Sequence, residues 1–161
     1  MTAATRLAPL RLRRVFGSHP SGVVFIAAVV NGQPFGLVAS SFTSVSLEPA
    51  LVSACVAHTS TTWPSLRSAP LLGVSVLAAD QEPVVRQLAS SGDRFAGLPW
   101  RANGDGAVML DGAAAWLEVS VEQQVRAGDH DIVVLAVRDL EAVPEVAPLV
   151  FHGGRFTRLH S

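Results

Sequence analysis

The sequence predicts a mostly β fold, with antiparallel strands that close or nearly close into a barrel and a few short helices between them. Three observations carry this. The apolar run SGVVFIAAVV at 21–30 ends on Asn31-Gly32, the dipeptide of a two-residue hairpin turn. From about residue 107 onward, apolar and polar residues alternate between glycine turns. The helical signals are short and hold prolines at Pro64 and Pro83, where a first turn tolerates a missing N–H. Closure is how so many strands avoid exposed edges.

Taken in order, residues 8–18 read as a short helix whose apolar face is Leu12, Val15 and Phe16. Arg6, Arg11, Arg13 and Arg14 form its solvated side. Residues 21–30 read as one strand buried on both faces, and the next strand starts near Phe35. ALVSACVA at 50–57 is a strand in which Cys55 is expected to be a small buried residue. STTWPSLRSA at 60–69 reads as a helix capped by Thr59 or Ser60. LLGVSVLA at 71–78 is a strand, and 80–90 is a helix with Asp80 as its cap. The stretch NGDGAVMLDG reads as a loop. AAWLEVSVEQQVRA and DIVVLAVRDLEAV then pair across the turn GDH, and PLVFHGGRFTRL closes the chain as two strands around Gly153-Gly154.

The chain has 161 residues, which suits one domain spanning 1–161. Hydrophobic residues make up 49% and charged residues 16%, so part of the apolar surface is expected to be covered by a second copy. A net charge of −1 points to neither a nucleic-acid partner nor an anionic membrane. No run reaches the length of a membrane span, and no signal peptide stands at the start. The single cysteine rules out an internal disulfide and fits a reducing cytoplasm. The sequence lacks the Gly-x-Gly-x-x-Gly fingerprint, the phosphate-binding loop, zinc-ligand spacing, the calcium loop and the Gly-x-Ser-x-Gly elbow. It also contains no tyrosine, so no tyrosyl acid is available.

What the chain does carry is a cluster of uncharged donors. Ser40, Ser41, Thr43, Ser44 and Ser46 follow Gly36 closely, with Phe42 and Val45 free to point into the core. Hydroxyls and backbone N–H groups can bind a phosphate or the polar edge of a flat ring without net charge. The same residues can equally satisfy their own backbone. A second cluster, His58 to Trp63, sets hydroxyls at a helix start, where free N–H groups favour anions.

These elements, in this order, resemble the flavin reductase-like family with its FMN-binding split barrel. The resemblance runs from about residue 15 to 159, and SSFTSVSLEP and GDH are its most specific parts. It implies an antiparallel split β-barrel and hydride transfer from NADH or NADPH to FMN or FAD. It also implies a homodimer, and delivery of reduced flavin to a separate flavin-dependent monooxygenase. By the same resemblance Val38, Ala39, Ser40 and Ser41 line the flavin ring edge, with Ser46 nearby. Cys55, Val56 and Ala57 pass close to the ring, and Thr59, Ser60 and Thr61 hold the phosphate. Phe95 is a wall for flavin or its ribityl tail, with plain core packing as the alternative. His130 positions the nicotinamide, and His152, Gly153, Gly154, Arg155 and Phe156 border the dinucleotide.

Three positions depart from the family pattern. Val38 replaces a frequent threonine, Pro49-Ala50 replaces a proline pair, and Ser21 replaces a threonine. Hydride transfer needs two rings held face to face more than it needs an acid or base, which agrees with the absence of a catalytic carboxylate or triad. Two other readings remain open: a module that carries flavin without reducing it, and a flavoenzyme that reduces an organic substrate in its own pocket.

Overall fold

The computed structural model describes residue 2 and residues 7–160. Arg6, assigned above to the helix face, lies outside them. The strands are β1 (Ser21–Gly22), β2 (Val24–Val30), β3 (Gln33–Ala39), β4 (Thr43–Leu47), β5 (Ala50–Ala57) and β6 (Leu72–Val76). They continue as β7 (Trp100–Ala102), β8 (Val108–Leu110), β9 (Ala115–Ala127), β10 (His130–Ala142), β11 (Leu149–His152) and β12 (Arg155–Arg158). The helices are α1 (Pro9–Phe16), α2 (Trp63–Leu66) and α3 (Glu82–Leu88).

The fold is an antiparallel split barrel. Seven strands run in the order β3-β2-β6-β9-β10-β5-β4, and the two edges, β3 and β4, are joined directly through residues 40–42. The sheet therefore rolls until its own edges meet at one short connection. Register shifts between Val134 and Leu135 and between Val137 and Asp139 bend the long β9–β10 ribbon toward that curvature. The turn after β2 is built as its sequence demands: Asn31 and Gly32 have φ of 51° and 77°.

The strand expected over 21–30 divides at Val23. β1 pairs with β11 in a separate three-stranded sheet, whereas β2 pairs with β3 and β6. β2 is buried on both faces as its unbroken apolar run requires. Val24, Ile26 and Ala28 face the barrel interior with Val52, Leu72 and Leu135. Phe25 and Ala27 face a second core formed with Leu77, Leu88, Val108 and Leu149.

Several local expectations are corrected. α1 buries none of its residues; Val15 is 61% and Phe16 69% exposed, so this chain does not cover the apolar face. The helix expected at 60–69 is a single turn, and that at 80–90 shrinks to seven residues. Asp80 does not cap α3. Gln81 precedes the helix and is buried, accepting the Ala78 N–H at 2.8 Å and donating to the Asp111 carbonyl at 3.0 Å. That amide ties the helix start to the end of β8, which a free carboxylate could not do at both ends. The loop NGDGAVMLDG includes β8, paired with β7. Val45 is 52% exposed, because a bulge between Ser44 and Ser46 throws it out of register. Phe42 does pack against the barrel core.

Candidate functional site

The hydroxyl cluster occupies the seam of the barrel. Ser41 lies just before β4 and reaches Cys55 on β5. Its Oγ accepts the Cys55 N–H at 2.8 Å and donates to the Cys55 carbonyl at 3.2 Å. The ladder between β4 and β5 begins at Thr43 and Ser53, so the Ser41 side chain supplies the next rung that a strand would have given. This leaves Ser40 exposed at the surface and Ala39 buried beneath it. Cys55 is exposed, contrary to the expectation of a buried residue. On β5 the even-numbered Val52, Ala54 and Val56 fill the core, so Cys55 points outward by strand alternation.

A trough follows β3. Pro34, Gly36, Val38 and Ser40 alternate onto one face of the strand. One end is a groove of about 370 Å³ between Pro34 and Gly36, the hydroxyl residues Thr61 and Thr62, and the loop carrying Arg94 and Phe95. Gly36 and Arg94 also line a second groove of about 260 Å³, walled by Val38 and by Val85 and Leu88 of α3. Val38 and Ser40 continue into a cavity of about 130 Å³ against Phe151 and Phe156. Ser40 and Phe151 open into a last groove of about 450 Å³, which Arg13, Phe16, His19 and Gly154 border. Phe95 is both wall and core: it packs against Phe25 at 5.8 Å and Trp100 at 5.9 Å between ring centroids.

The segment expected to bind phosphate is built differently from its expectation. Ser60 Oγ accepts the N–H of Trp63 at 3.1 Å and so closes the start of the single-turn α2 itself. That helix is too short for a dipole to gather an anion. The remaining groups for a phosphate are the Thr61 and Thr62 side chains and the guanidinium of Arg94 on the far wall. Thr59 is exposed in the turn after β5.

His130 begins β10, opposite Ala57 of β5. Around it two histidine–aspartate pairs interlock. His130 Nδ1 lies 2.7 Å from Asp129, and His58 Nε2 lies 2.8 Å from Asp131. The His58 N–H also donates to the Asp129 carbonyl at 2.9 Å. The His130 imidazole holds the Asp129 carboxyl below the ordinary aspartate value, by hydrogen bond first and charge second. A lowered folded value makes this contribution complete above the ordinary aspartate range; it fades as pH falls through the lowered value. A carboxyl titration by NMR should therefore read Asp129 below that range, and His130→Ala should return it there.

Of the predicted residues, Ser41 and Cys55 meet at the seam, and most others gather in three places. Val38, Ser40, Thr61, Phe95, Gly154 and Phe156 line the trough or its openings. Arg155 and His152 flank Gly153-Gly154 at the β11–β12 turn, exposed beside it. His130, with Ala57, stands at the hairpin tip and does not line these cavities. Ser46 is set apart: it pairs with Leu51, toward the other end of β5 from Cys55. Sequence reading missed Arg94, which sits beside the Phe95 it did select, and it missed Arg13, Phe16 and His19 as groove residues. The arginine run beside an apolar helix face was the available signal for the last group.

Comparison with known proteins agrees with this architecture. Residues 16–160 match the model of the flavin reductase like domain. A flavin reductase of Pseudomonas putida is 36% identical over 92% of this chain and 88% of its own length. The reductase subunit of a flavin-dependent monooxygenase from Rhodococcus jostii is 34% identical over 96% of this chain and 80% of its own. The structure of an NADH:FAD oxidoreductase from Streptomyces globisporus, in complex with NAD and FAD fragments, superposes with a TM-score of 0.90. It shares 38% identity and covers 96% of this chain and 94% of that one. With the seam, the trough and the C-terminal turn in place across nearly its whole length, the chain belongs to the flavin reductase-like family.

Proposed function

We infer that this chain is an NAD(P)H:flavin oxidoreductase that moves a hydride from NADH or NADPH to FMN or FAD and passes reduced flavin to a separate monooxygenase. The observation that carries this is the trough along β3, whose floor of Gly36, Val38 and Ser40 runs between two roomy ends. Its donor set fits a flavin: hydroxyls and one guanidinium for a phosphate, apolar and aromatic walls for a flat ring. A bound flavin supplies the hydride acceptor.

The chain's own residues bind and orient. Ser40 presents its backbone and hydroxyl at the ring edge, and with Val38 in place of threonine that edge relies on backbone donors. Ala39 and Val56 are buried behind this face and keep it rigid. Thr61, with Thr59 and Ser60 beside it, serves the phosphate. Phe16, Phe151 and the turn at Gly153-Gly154 shape the groove for the nicotinamide, and Arg155 reaches its phosphates. His130, oriented by Asp129 at the hairpin tip, is the proposed partner of the carboxamide, although it lines none of these grooves in a single chain. The chain works as a cytoplasmic homodimer. Val45, Leu47, Val125 and Ile132 are exposed on the β4, β5, β9 and β10 side of the barrel, and α1 adds Leu10, Val15 and Phe16. No helix among the described residues is long and apolar enough to cross a membrane.

Loss of reduced-nicotinamide absorbance on mixing the chain with NADH or NADPH and FMN or FAD tests this. Flavin-dependent turnover in the usual enzyme range, about 1–1,000 per second, is the expected result. Flavin binding without oxidation would favour the carrier reading. Oxidation that needs a third compound under anaerobic conditions would favour an organic substrate.

A further inference from the structure

The trough does not end where a phosphate would be held. Taken from Ser40, the β3 floor passes Val38, then Gly36 beside Thr61, Thr62 and Arg94, and then continues past Pro34 to Gln33. At about 3.3 Å per residue, Ser40 to Pro34 spans roughly 20 Å. A flavin mononucleotide that laid its ring at Ser40 and its phosphate at Arg94 would fill the groove of about 370 Å³ only at its Thr61, Thr62 and Arg94 side and leave its Gln33, Pro34 and Asp93 side to water.

That groove is built. Gln87 of α3 donates to the carbonyls of Arg94 at 3.1 Å and Ala96 at 2.7 Å, which fixes the loop as its wall. Asp93 accepts the Phe95 N–H at 3.1 Å, so its carboxylate is held against the main chain of the loop. Arg94 donates only its Nε, to the Ser90 carbonyl at 3.3 Å. Among the described residues its two terminal nitrogens have no hydrogen bond or ion pair.

We propose that this chain is built for FAD over FMN, with Arg94 holding the diphosphate and the groove of Gln33, Pro34, Asp93 and Phe95 taking the adenosine. The proposal rests on the flavin reductase reading above and names which flavin that site selects. The chemistry fits each part. A guanidinium with both terminal nitrogens available can bridge two phosphates. Phe95 and Pro34 offer faces for a purine, and an ionised carboxylate accepts hydrogen bonds from ribose hydroxyls. Asp93 also works against the shorter ligand. A phosphate monoester carries close to two negative charges on one group near neutral pH, and here it would end beside that carboxylate.

The test is calorimetric titration of the full chain with FAD, FMN and riboflavin. FAD should bind at least about tenfold more tightly than FMN, the gain expected of one base stacked on an aromatic face. Arg94→Ala should weaken FAD by about tenfold while leaving riboflavin unchanged, since only the phosphate contact is lost. Asp93→Asn keeps an acceptor for the Phe95 N–H and should narrow the gap between FAD and FMN. Melting curves of each variant establish that the fold is intact. Equal affinity for FAD and FMN overturns the proposal, as does an Arg94→Ala variant that loses riboflavin as strongly as FAD. Equal affinities with nicotinamide oxidation intact would overturn this selectivity alone. A chain that binds no flavin and oxidises no nicotinamide would overturn the reductase reading with it.

Discussion

Replacing Gly73 by alanine should destabilise the chain by about 3 kcal/mol or more, read as a shift in the urea midpoint. Gly73 sits in β6, beneath the place where β8 crosses. A Cβ there would lie 2.0 Å from the Val108 carbonyl oxygen and 2.6 Å from its carbon. Both are backbone atoms, so no rotamer change can relieve the overlap, and β8 must lift. Lifting it breaks the bond from the Leu110 N–H to the buried Ser75 hydroxyl, 2.9 Å long. It also exposes Val108 and Leu110, which are 0% and 2% accessible. These two residues belong to the core that backs the trough, so flavin affinity should fall with stability. A loss below about 1 kcal/mol would mean that β8 is not seated on β6 as described.

Ser41→Ala should cost about 1–3 kcal/mol, the sum of two modest hydrogen bonds to the Cys55 backbone. Its larger effect should fall on flavin binding, because Ser40 and Ser41 form the connection between the sheet's two edges. Cys55→Ala is the contrasting variant. The Ser41 partners are main-chain atoms, so removing the Cys55 thiol should leave the seam and the stability nearly unchanged. Equal losses from both variants would place the importance in the thiol instead.

The barrel was legible because its cause is periodic. Alternation along β9 and β10, the doubly apolar β2 and the Asn31-Gly32 turn each state a local rule that the closed sheet obeys. Short or distant features escaped. β7 and β8 have three residues each, too few to set a period. The division at Val23 depends on β11, far along the chain. Gln81 displaced Asp80 because its two partners, Ala78 and Asp111, come from different parts of the fold. The hydroxyl cluster was legible as a candidate site but not as a seam, since Ser41 meets Cys55 only after the sheet has rolled. Phe95 could be singled out through the family resemblance alone, since Leu98 and Trp100 stand close by in the same stretch. Arg94 needed the trough to be seen before it differed from any exposed arginine. The exposed face of α1 shows the same limit: its amphipathic pattern was correct, but nothing in one chain says what covers it.

The joining of β3 to β4 also orders events in time. Hairpins such as β2–β3 and β9–β10 bring sequence neighbours together and form in about 1–10 μs. The β5–β10 ladder instead joins residues as distant in sequence as Leu51 and Ala136, so loop-closure entropy delays it. β4 and β5 are themselves a local hairpin, so it is this hairpin as a unit, with the Ser41 rung on its outer edge, that docks last when the ladder forms. What closes last, with an exposed edge and side-chain rungs, is also what opens first in the native state. Amide hydrogen exchange at Cys55 and Thr43 should therefore be fast beside that of β2. Added flavin should slow it in proportion to occupancy, because a ligand resting on the closed seam raises the free energy of opening. Release of the product and breathing of the barrel then share one step.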